Sequence, residues 1–211
     1  MAIIQARDIT LLELKTKFGL RLLEDEQLFR EWQDNLPEIT DAEKLRLDRT
    51  KASYSNLLEY PPLLENTVKM VVLSSLLDLA DFYLSPFHIK SEQSVQIEAE
   101  DEGVIVKGNI DVLVLCEQIT VAVIESKQTA FSVEVAKAQL LSYMLALSNS
   151  DKPVYGLITN GASFLFIKLI KQEAPKYLLS RLFYIFNPGN DLYIVLGILK
   201  RFGQLAMAPG T

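Results

Sequence analysis

The sequence predicts an α/β (α+β) fold in which helices flank a mixed central sheet. Three observations lead to this prediction. Helical periodicity before residue 84 gives way to alternating, strand-like segments between residues 94 and 128. A helical segment then separates these strands from two more, which is the kind of connection that parallel pairing requires. The 211 residues are 49% hydrophobic, which is enough for one globular core.

Residues 1–60 are predicted to form an N-terminal accessory segment that is mainly helical. A short helix is expected at residues 24–34. Thr40 and Glu43 then have the spacing of a capping box, in which each side chain accepts a hydrogen bond from a backbone N–H of the first helical turn. This pattern predicts a charged and largely exposed helix that ends at about residue 58.

The core is predicted at residues 61–205, followed by a loose tail at residues 206–211. Its first helix is expected at residues 62–83, because proline suits a first helical turn and apolar residues recur there at helical spacing. Ser132 is expected to cap the helix before the fourth strand, and a last helix is expected at residues 191–202. The strands read as alternating or apolar runs at residues 94–100, 104–115, 119–128, 153–159 and 163–170.

Composition excludes several classes of site. With one cysteine, Cys116, and one histidine, His88, neither an intramolecular disulfide nor a cysteine- or histidine-rich zinc site is expected. We interpret the cysteine as core packing and the histidine as a loop residue with no direct role. The N-terminus lacks the features of a signal peptide, and no segment is apolar enough to be a membrane span, so a cytoplasmic protein is expected.

The net charge of −6 is unfavourable for a nucleic-acid partner, but its distribution is uneven. Residues 1–102 carry a net charge of −9 (20 acids and 11 bases), whereas residues 151–211 carry +4 (3 acids and 7 bases). A polyanion would therefore meet a basic C-terminal side. The alternative is ordinary scatter of charge on a solvated surface.

Two strands carry most of the residues that suggest chemistry. Glu125 and Lys127 end the third strand and share one of its faces. Asp111 interrupts an apolar run, where a carboxylate needs a partner or a cation. Carboxylate oxygens favour Mg²⁺ or Mn²⁺, with the backbone carbonyl of Ser126 as a further ligand, and Lys127 would then assist the attacking water. The alternative is a structural salt bridge between Lys127 and a neighbouring acid.

The register of the hairpin decides whether Asp111 faces Glu125. A strict two-residue turn would point the two carboxylates to opposite faces. A three-residue loop, which pairs Cys116 with Thr120, would place them opposite each other with Cβ atoms about 5 Å apart. We predict the three-residue loop, or a bulge near Gly108 that has the same effect.

These residues resemble a known family. Asp111, then thirteen residues, then Glu125 and Lys127 on either side of one residue resemble the signature of the PD-(D/E)xK (restriction-endonuclease-like) nuclease superfamily, with Ile110 in place of the proline. The resemblance implies an αβββαβ core, metal binding by Asp111 and Glu125, and a catalytic role for Lys127.

Gln139 and Tyr143, one turn apart on the next helix, resemble the QxxxY motif in the N-terminal nuclease domain of type I restriction enzyme R subunits. Over most of its length the chain is also similar to cyanobacterial R-subunit-like proteins. The resemblance implies that Gln139 orders the site or contacts nucleic acid and that Tyr143 supports it. It also implies that Glu65 adds a metal ligand. The alternatives are helix packing for the first two residues and a favourable helix N-terminus for Glu65.

The function implied by the resemblance is a metal-dependent deoxyribonuclease with Mg²⁺ (or Mn²⁺) as cofactor. The alternative is a non-catalytic restriction-like domain that binds nucleic acid or a partner protein, and the sequence does not separate DNA from RNA. No GxxxxGK[ST] phosphate-binding loop is present. The resemblance makes DNA the expected partner. Because the motor motif is absent, we also expect either a homodimer or a separate motor or specificity subunit.

Overall fold

A computed structural model describes residues 2–99, 104–116, 119–127, 136–147, 152–171 and 174–208. It has the predicted α/β architecture, with helices on both faces of an eight-stranded mixed sheet. The strands are β1 (Ala2–Gln5), β2 (Arg21–Leu22), β3 (Phe87–Ala99), β4 (Val104–Cys116), β5 (Ile119–Ser126), β6 (Val154–Thr159), β7 (Ser163–Ile170) and β8 (Lys176–Tyr184). The helices are α1 (Leu11–Phe18), α2 (Asp41–Leu58), α3 (Glu65–Val68), α4 (Ser74–Leu79), α5 (Lys137–Leu147) and α6 (Leu192–Met207), with a π-helical turn (Lys69–Leu73) joining α3 to α4.

The strand order is β1-β4-β5-β6-β7-β8-β2, with β3 paired to β4. Three pairs are parallel, namely β1 with β4, β5 with β6 and β2 with β8, and the other pairs are antiparallel. The connection from β5 through α5 to β6 gives the parallel pairing that the order of elements predicts.

Two hydrophobic cores lie on the two faces of the sheet. Helices α1 and α5 pack on one face, and α2, α4 and α6 pack on the other. From Val112 to Leu115, successive side chains of β4 point alternately into the two cores. Val112 and Val114 pack in the larger core, and Leu113 and Leu115 pack in the smaller one. The sheet is therefore buried on both sides, which suits the apolar runs in its central strands.

Several predicted elements are confirmed. Helix α2 opens with the capping box of Thr40 and Glu43 and ends at Leu58. Strand β7 has the predicted bounds, and Asn160 and Gly161 form the predicted turn before it, with Gly161 at φ +86°. Cys116 is buried in the larger core, as interpreted.

Other elements need correction. The helix expected at residues 62–83 begins at Glu65, because Leu64 still has an extended backbone, and it ends at Leu79. The helix expected at residues 24–34 is only a 3₁₀ turn (Glu26–Leu28). Strand β3 begins seven residues earlier than expected, at Phe87, so that His88 lies on a strand and not in a loop.

The ends of the chain also differ from the prediction. Residues 1–60 contain the expected helix α2 and also α1, but they supply β1 and β2 to the same sheet as well. Strand β8 was not predicted, because its residues are buried without a strict alternation. Helix α6 runs to Met207, since its apolar face continues to pack on the larger core, so the predicted tail at residues 206–211 begins in helix. Ser132, the predicted helix cap, lies outside the described residues.

The β4–β5 register is reached by a different route from the predicted one. Cys116 pairs with Ile119, so the predicted three-residue loop is wrong. An irregularity follows, because Leu115 pairs with Thr120 whereas Val114 pairs with Ala122. This one-residue shift, a β-bulge far from Gly108, reverses the effect of the short turn. The pairs from Val114 with Ala122 to Val112 with Ile124 therefore have the predicted register, which would set Asp111 level with Glu125 if the ladder were one residue longer.

Candidate functional site

The sheet opens at the middle of β4. One edge of β4 pairs with β3 along its length, and the other edge is shared by two strands. Along this second edge β1 pairs with Val104 to Lys107, and β5 pairs from Val112 onward. The described pairings leave residues 108–111 without a strand neighbour on that edge, and we call these four residues the fork. Because β1 and β5 diverge here, groups from both faces of the sheet can meet at the fork.

Asp111 lies in the fork and is 9% exposed. Its Oδ2 accepts hydrogen bonds from the backbone N–H of Ser126 at 2.7 Å and from the Ser126 hydroxyl at 3.2 Å. Its Oδ1 accepts a hydrogen bond from Lys69 Nζ at 2.9 Å. The carboxylate thus satisfies a backbone donor where the β4–β5 ladder stops, which gives Asp111 a structural role beside any chemical one.

Glu125 and Lys127 connect β5 to α5. Lys127 Nζ donates to Glu125 Oε1 at 2.6 Å and to Gln139 Oε1 at 3.0 Å. Gln139 Nε2 in turn donates to the Tyr143 hydroxyl at 2.8 Å. The structure therefore brings together these four predicted residues in one hydrogen-bonded chain. Gln139 fixes the position of the lysine, and Tyr143 fixes that of the glutamine.

Glu125 is the most deeply buried acid of the site. Its side chain is 2% exposed, and among the described residues its Oε2 atom has no hydrogen-bond partner. Burial and the negative charge of Asp111 raise the pKa of Glu125 to about 8, although Lys127 acts in the opposite direction. An acid of this kind is protonated at neutral pH unless a further cation, in addition to Lys127, reaches it.

The other face of the sheet contributes Glu65 and Lys69, at the start of the helix that follows Leu64. Lys69 Nζ lies 2.9 Å from Glu65 Oε1, 2.9 Å from Asp111 Oδ1 and 3.6 Å from Glu92 Oε1. Burial lowers the pKa of Lys69, but its hydrogen bonds to Glu65 and Asp111 outweigh this effect and leave the pKa raised. The lysine is therefore a permanent cation.

Sequence reasoning identified Glu65 but missed Lys69 and Glu92. Lys69 had one local signal, because it lies four residues after Glu65 on a predicted helix, a spacing that favours an ion pair. Glu92 had none, since its position at the site depends on the pairing of β3 with β4. At this point β3 is irregular: Glu92 has φ +52°.

Gly108 lets Tyr143 approach the fork. A Cβ atom at Gly108 would lie 2.7 Å from Ala6 Cβ, 2.8 Å from Tyr143 Cε1 and 2.9 Å from the Tyr143 hydroxyl. Only glycine leaves room for these contacts. Burial raises the pKa of Tyr143, so its hydroxyl stays neutral.

An open groove of about 780 Å³ adjoins the fork on the side of Gln139 and Tyr143. Its described lining includes the cations Arg7 and Lys107 and contains no carboxylate. The amide and hydroxyl groups that line it come from Gln5, Ser94, Gln96, Asn109, Gln139 and Tyr143. The groove thus offers hydrogen-bond donors and positive charge beside an otherwise acidic cluster.

The charges at the site do not balance. Four carboxyl groups, of Glu65, Glu92, Asp111 and Glu125, meet the ammonium groups of Lys69 and Lys127. No group of three or more metal-ligating acids, cysteines or histidines is recognised within the described ranges. The unpartnered, buried Oε2 of Glu125 and the excess of two carboxyl groups nevertheless fit a divalent cation. Ser126, predicted to offer its backbone carbonyl, lies at the site and contacts Asp111 through its N–H and hydroxyl groups.

Comparison with known proteins adds no family assignment: no protein-family model matches the sequence, and no curated protein matches it at a significant level. In the part of the chain that the structure describes, no helix combines the length and the apolar character needed to cross a membrane.

Proposed function

We propose that this chain is a metal-dependent nuclease that hydrolyses phosphodiester bonds in DNA. The observation that carries the proposal is the meeting of Asp111, Glu125, Lys127 and Gln139 at the fork, with one buried glutamate oxygen that has no partner among the described residues. These residues come from β4, β5 and α5, and packing alone does not require acids and a lysine at this position.

The order of elements supports a restriction-endonuclease-like core. From Glu65 onward the chain forms a helix, the strands β3, β4 and β5, the crossover helix α5, and then β6. This is the αβββαβ order that the resemblance implies. The acids lie on the second and third strands of that order, and Gln139 and Tyr143 lie on the crossover helix.

Asp111 and Glu125 would hold Mg²⁺ (or Mn²⁺), with Glu65 and the Ser126 carbonyl as further candidate ligands. Their oxygen atoms match the preference of these hard cations. When bound, the ion would lower the pKa of a coordinated water and offset negative charge on the phosphate. Glu125 would then give up its proton, because a cation next to its carboxylate favours the ionised form.

Lys127 would orient the attacking water or stabilise the charge that develops on the phosphate. An ammonium group has three N–H donors, and Glu125 and Gln139 use two of them. Among the described residues the third has no partner, and the 20% exposure of the Lys127 side chain lets it reach a water molecule or a phosphate oxygen. The two occupied donors restrict the rotation of the group, which is the pre-organisation that transition-state stabilisation needs.

The groove beside the fork supports a polyanionic substrate. Arg7 and Lys107 lie on its wall, and phosphate contacts by such residues supply most of the affinity for a nucleic-acid backbone. Gln139 lines the groove and also holds Lys127, so a strand in the groove would pass directly beside the reactive groups.

A second candidate function is a non-catalytic domain that binds nucleic acid or a partner protein. The contact between Lys69 and Asp111 favours it, because an ammonium group already neutralises one of the two acids that would bind metal. RNA in place of DNA is a variant of the first proposal.

The test is cleavage of supercoiled plasmid, single-stranded DNA and RNA, with Mg²⁺ or Mn²⁺ and with EDTA. Lys127→Met should abolish metal-dependent cleavage. Lys200→Met is the matched control, because Lys200 is also 20% exposed and pairs with one carboxylate, Glu43, away from the fork. Cleavage that survives in Lys127→Met, or that EDTA does not stop, would refute the proposal. Metal-dependent binding without cleavage would favour the second candidate.

A further inference from the structure

Several carboxylates surround the Lys69 ammonium group, as they would surround a bound metal ion. Its side chain is 20% exposed, and three carboxylates from three different elements surround Nζ: Glu65 on α3, Glu92 on β3 and Asp111 on β4. Two of the three N–O distances are 2.9 Å. One positive charge among three negative charges leaves the group under-compensated, and Glu125 adds a fourth acid close by.

The contacts of Asp111 make the lysine and a metal ion competitors. Asp111 Oδ2 is occupied by the two donors of Ser126, so Oδ1 is the oxygen left for a cation. Lys69 Nζ contacts this same Oδ1 atom and also Glu65 Oε1. Two cations do not share one carboxylate oxygen at close range without strong repulsion. A metal on Asp111 therefore requires Lys69 to move.

Lys69 is the first residue of the π-helical turn and has Glu92 as a partner on the solvent side. The backbone carbonyl of Lys69 accepts from the N–H of Ser74, five residues on, in place of the usual fourth residue. Such turns are frequent at functional sites in proteins. The lysine has a flexible four-carbon stem, and Glu92, 65% exposed, lies on the solvent side at 3.6 Å. Nζ can therefore leave Asp111 and stay paired with Glu92.

We propose that the Lys69 ammonium is a tethered cation that occupies the position between Asp111 and Glu65 when no metal is bound, and that a divalent cation binds by displacing it. The inference rests on the metal site of the proposed function but adds a residue to it that the family resemblance does not supply. The Oε2 atom of Glu125, which has no hydrogen-bond partner in the described part of the chain, marks where the incoming ion gains a ligand that the lysine does not use.

The test is the affinity for Mn²⁺, measured from the EPR signal of free Mn²⁺, for the wild type, Lys69→Met and the control Lys200→Met. Methionine keeps the length of the side chain and removes its charge. Lys69→Met should bind Mn²⁺ at least about tenfold more tightly than the wild type, which is the shift expected from removing one competing contact. Lys200→Met should bind as the wild type does. Equal or weaker binding by Lys69→Met would overturn the inference.

Thermal unfolding gives a second readout of the same proteins. Without metal, Lys69→Met should unfold at a lower temperature than the wild type, because its carboxylates lose their cation. Mn²⁺ should raise its melting temperature more than it raises that of the wild type. An increase no larger than in the wild type would count against displacement.

If Lys69→Met does not fold, the wild type still decides the question. Selective ¹³Cε labelling of lysine, with Lys69→Arg to assign the signal, reports the environment of Lys69 directly. Mg²⁺ should shift the Lys69 signal and leave that of Lys200 in place, whereas an unmoved Lys69 signal at saturating Mg²⁺ would overturn the inference.

None of these measurements uses cleavage, so the two proposals fail separately. Metal-dependent cleavage with unchanged Mn²⁺ affinity in Lys69→Met would refute displacement alone. Tighter Mn²⁺ binding without cleavage would refute the nuclease alone.

Discussion

Two glutamates in this protein look alike, although the Glu125 side chain is 2% exposed and the Glu31 side chain is 19% exposed. Glu125 at the fork and Glu31 beside β6 and β7 each form a salt bridge with a lysine, at 2.6 Å to Lys127, just after β5, and at 2.5 Å to Lys168 on β7. Among the described residues, the Oε2 atom of each is buried without a hydrogen-bond partner. A buried, unpartnered carboxylate oxygen is therefore not enough to indicate a functional site.

Glu31 and Glu125 differ in the charged groups that surround them. Glu31 also accepts a hydrogen bond from the Tyr155 hydroxyl at 3.0 Å, and Lys168 donates to the backbone of Leu28 as well. This cluster connects the N-terminal segment to β6 and β7. The positive charge of Lys168 balances the negative charge of Glu31, the one acid of the cluster. Glu125 instead faces Asp111, with Glu65 near by. The comparison shows that an excess of acids, and not burial by itself, marks the fork as a candidate site for a cation.

The largest expected effect concerns pH. The folded protein holds a proton on Glu125 up to about pH 8, whereas the unfolded chain releases it near the ordinary value of 4.5. Unfolding between these values releases a proton, so rising pH favours the unfolded state. Without metal, the wild type should lose stability relative to Glu125→Gln from about pH 4.5 to about pH 8, by on the order of a few kcal/mol. Urea unfolding of both proteins across this range measures it, and a pH-independent difference would contradict the assignment.

The two lysines should differ in their importance for stability. Lys168→Met leaves the carboxylate of Glu31, which is 19% exposed, without its cation, at a cost of about 3 kcal/mol. Lys127→Met should cost about 1 kcal/mol at pH 6, because Glu125 is already protonated there and the variant loses a hydrogen bond but leaves no unpaired charge. Urea unfolding at pH 6 compares the two variants. Equal losses would remove the distinction between the two glutamates.

Gly108→Ala tests the packing at the fork. The added methyl group would lie within 2.7–2.9 Å of Ala6 and Tyr143, so overpacking should cost about 1–3 kcal/mol. Gly197→Ala on α6 is the matched control, since its new Cβ would meet nothing closer than Leu36 at 3.6 Å. The control should be neutral or more stable by up to about 1 kcal/mol, because alanine favours helix. Similar losses in both variants would mean that the fork is not tightly packed.

Tyr143→Phe should have the smallest effect. It keeps the ring against Gly108 and removes the hydroxyl that accepts from Gln139, which should cost about 1 kcal/mol in chemical unfolding. If the hydrogen-bonded chain positions Lys127, the variant should also cleave DNA more slowly at unchanged substrate affinity. A normal rate would limit Tyr143 to packing.

Much of the site was predictable because its spacing is local. Alternation along β5 placed Glu125 and Lys127 on one face, and helical spacing placed Gln139 and Tyr143 one turn apart. The register of Val112 with Ile124, next to Asp111 and Glu125, was predicted correctly, although the structure reaches it by a short turn and a bulge. Two compensating one-residue shifts leave no mark in the apolar pattern.

The rest of the site depends on long-range contacts. Lys69 reaches Asp111 only because its helix packs over the fork, and Glu92 reaches Lys69 only through β3. Strand β1 bounds the fork and the groove, but four residues with no partner nearby in sequence carry too little pattern to assign a strand. The N-terminal segment was predicted as an accessory layer for the same reason.

The central claim is that Glu125 at the fork takes part in metal-dependent hydrolysis. The most direct test is the cleavage rate of supercoiled plasmid in Mg²⁺ by the wild type, Glu125→Gln and Glu31→Gln, with all three shown to be folded. The account predicts that the wild type and Glu31→Gln cleave at similar rates and that Glu125→Gln is slower by at least about 100-fold, because it lacks a carboxylate for the metal. Equal rates for wild type and Glu125→Gln would contradict it.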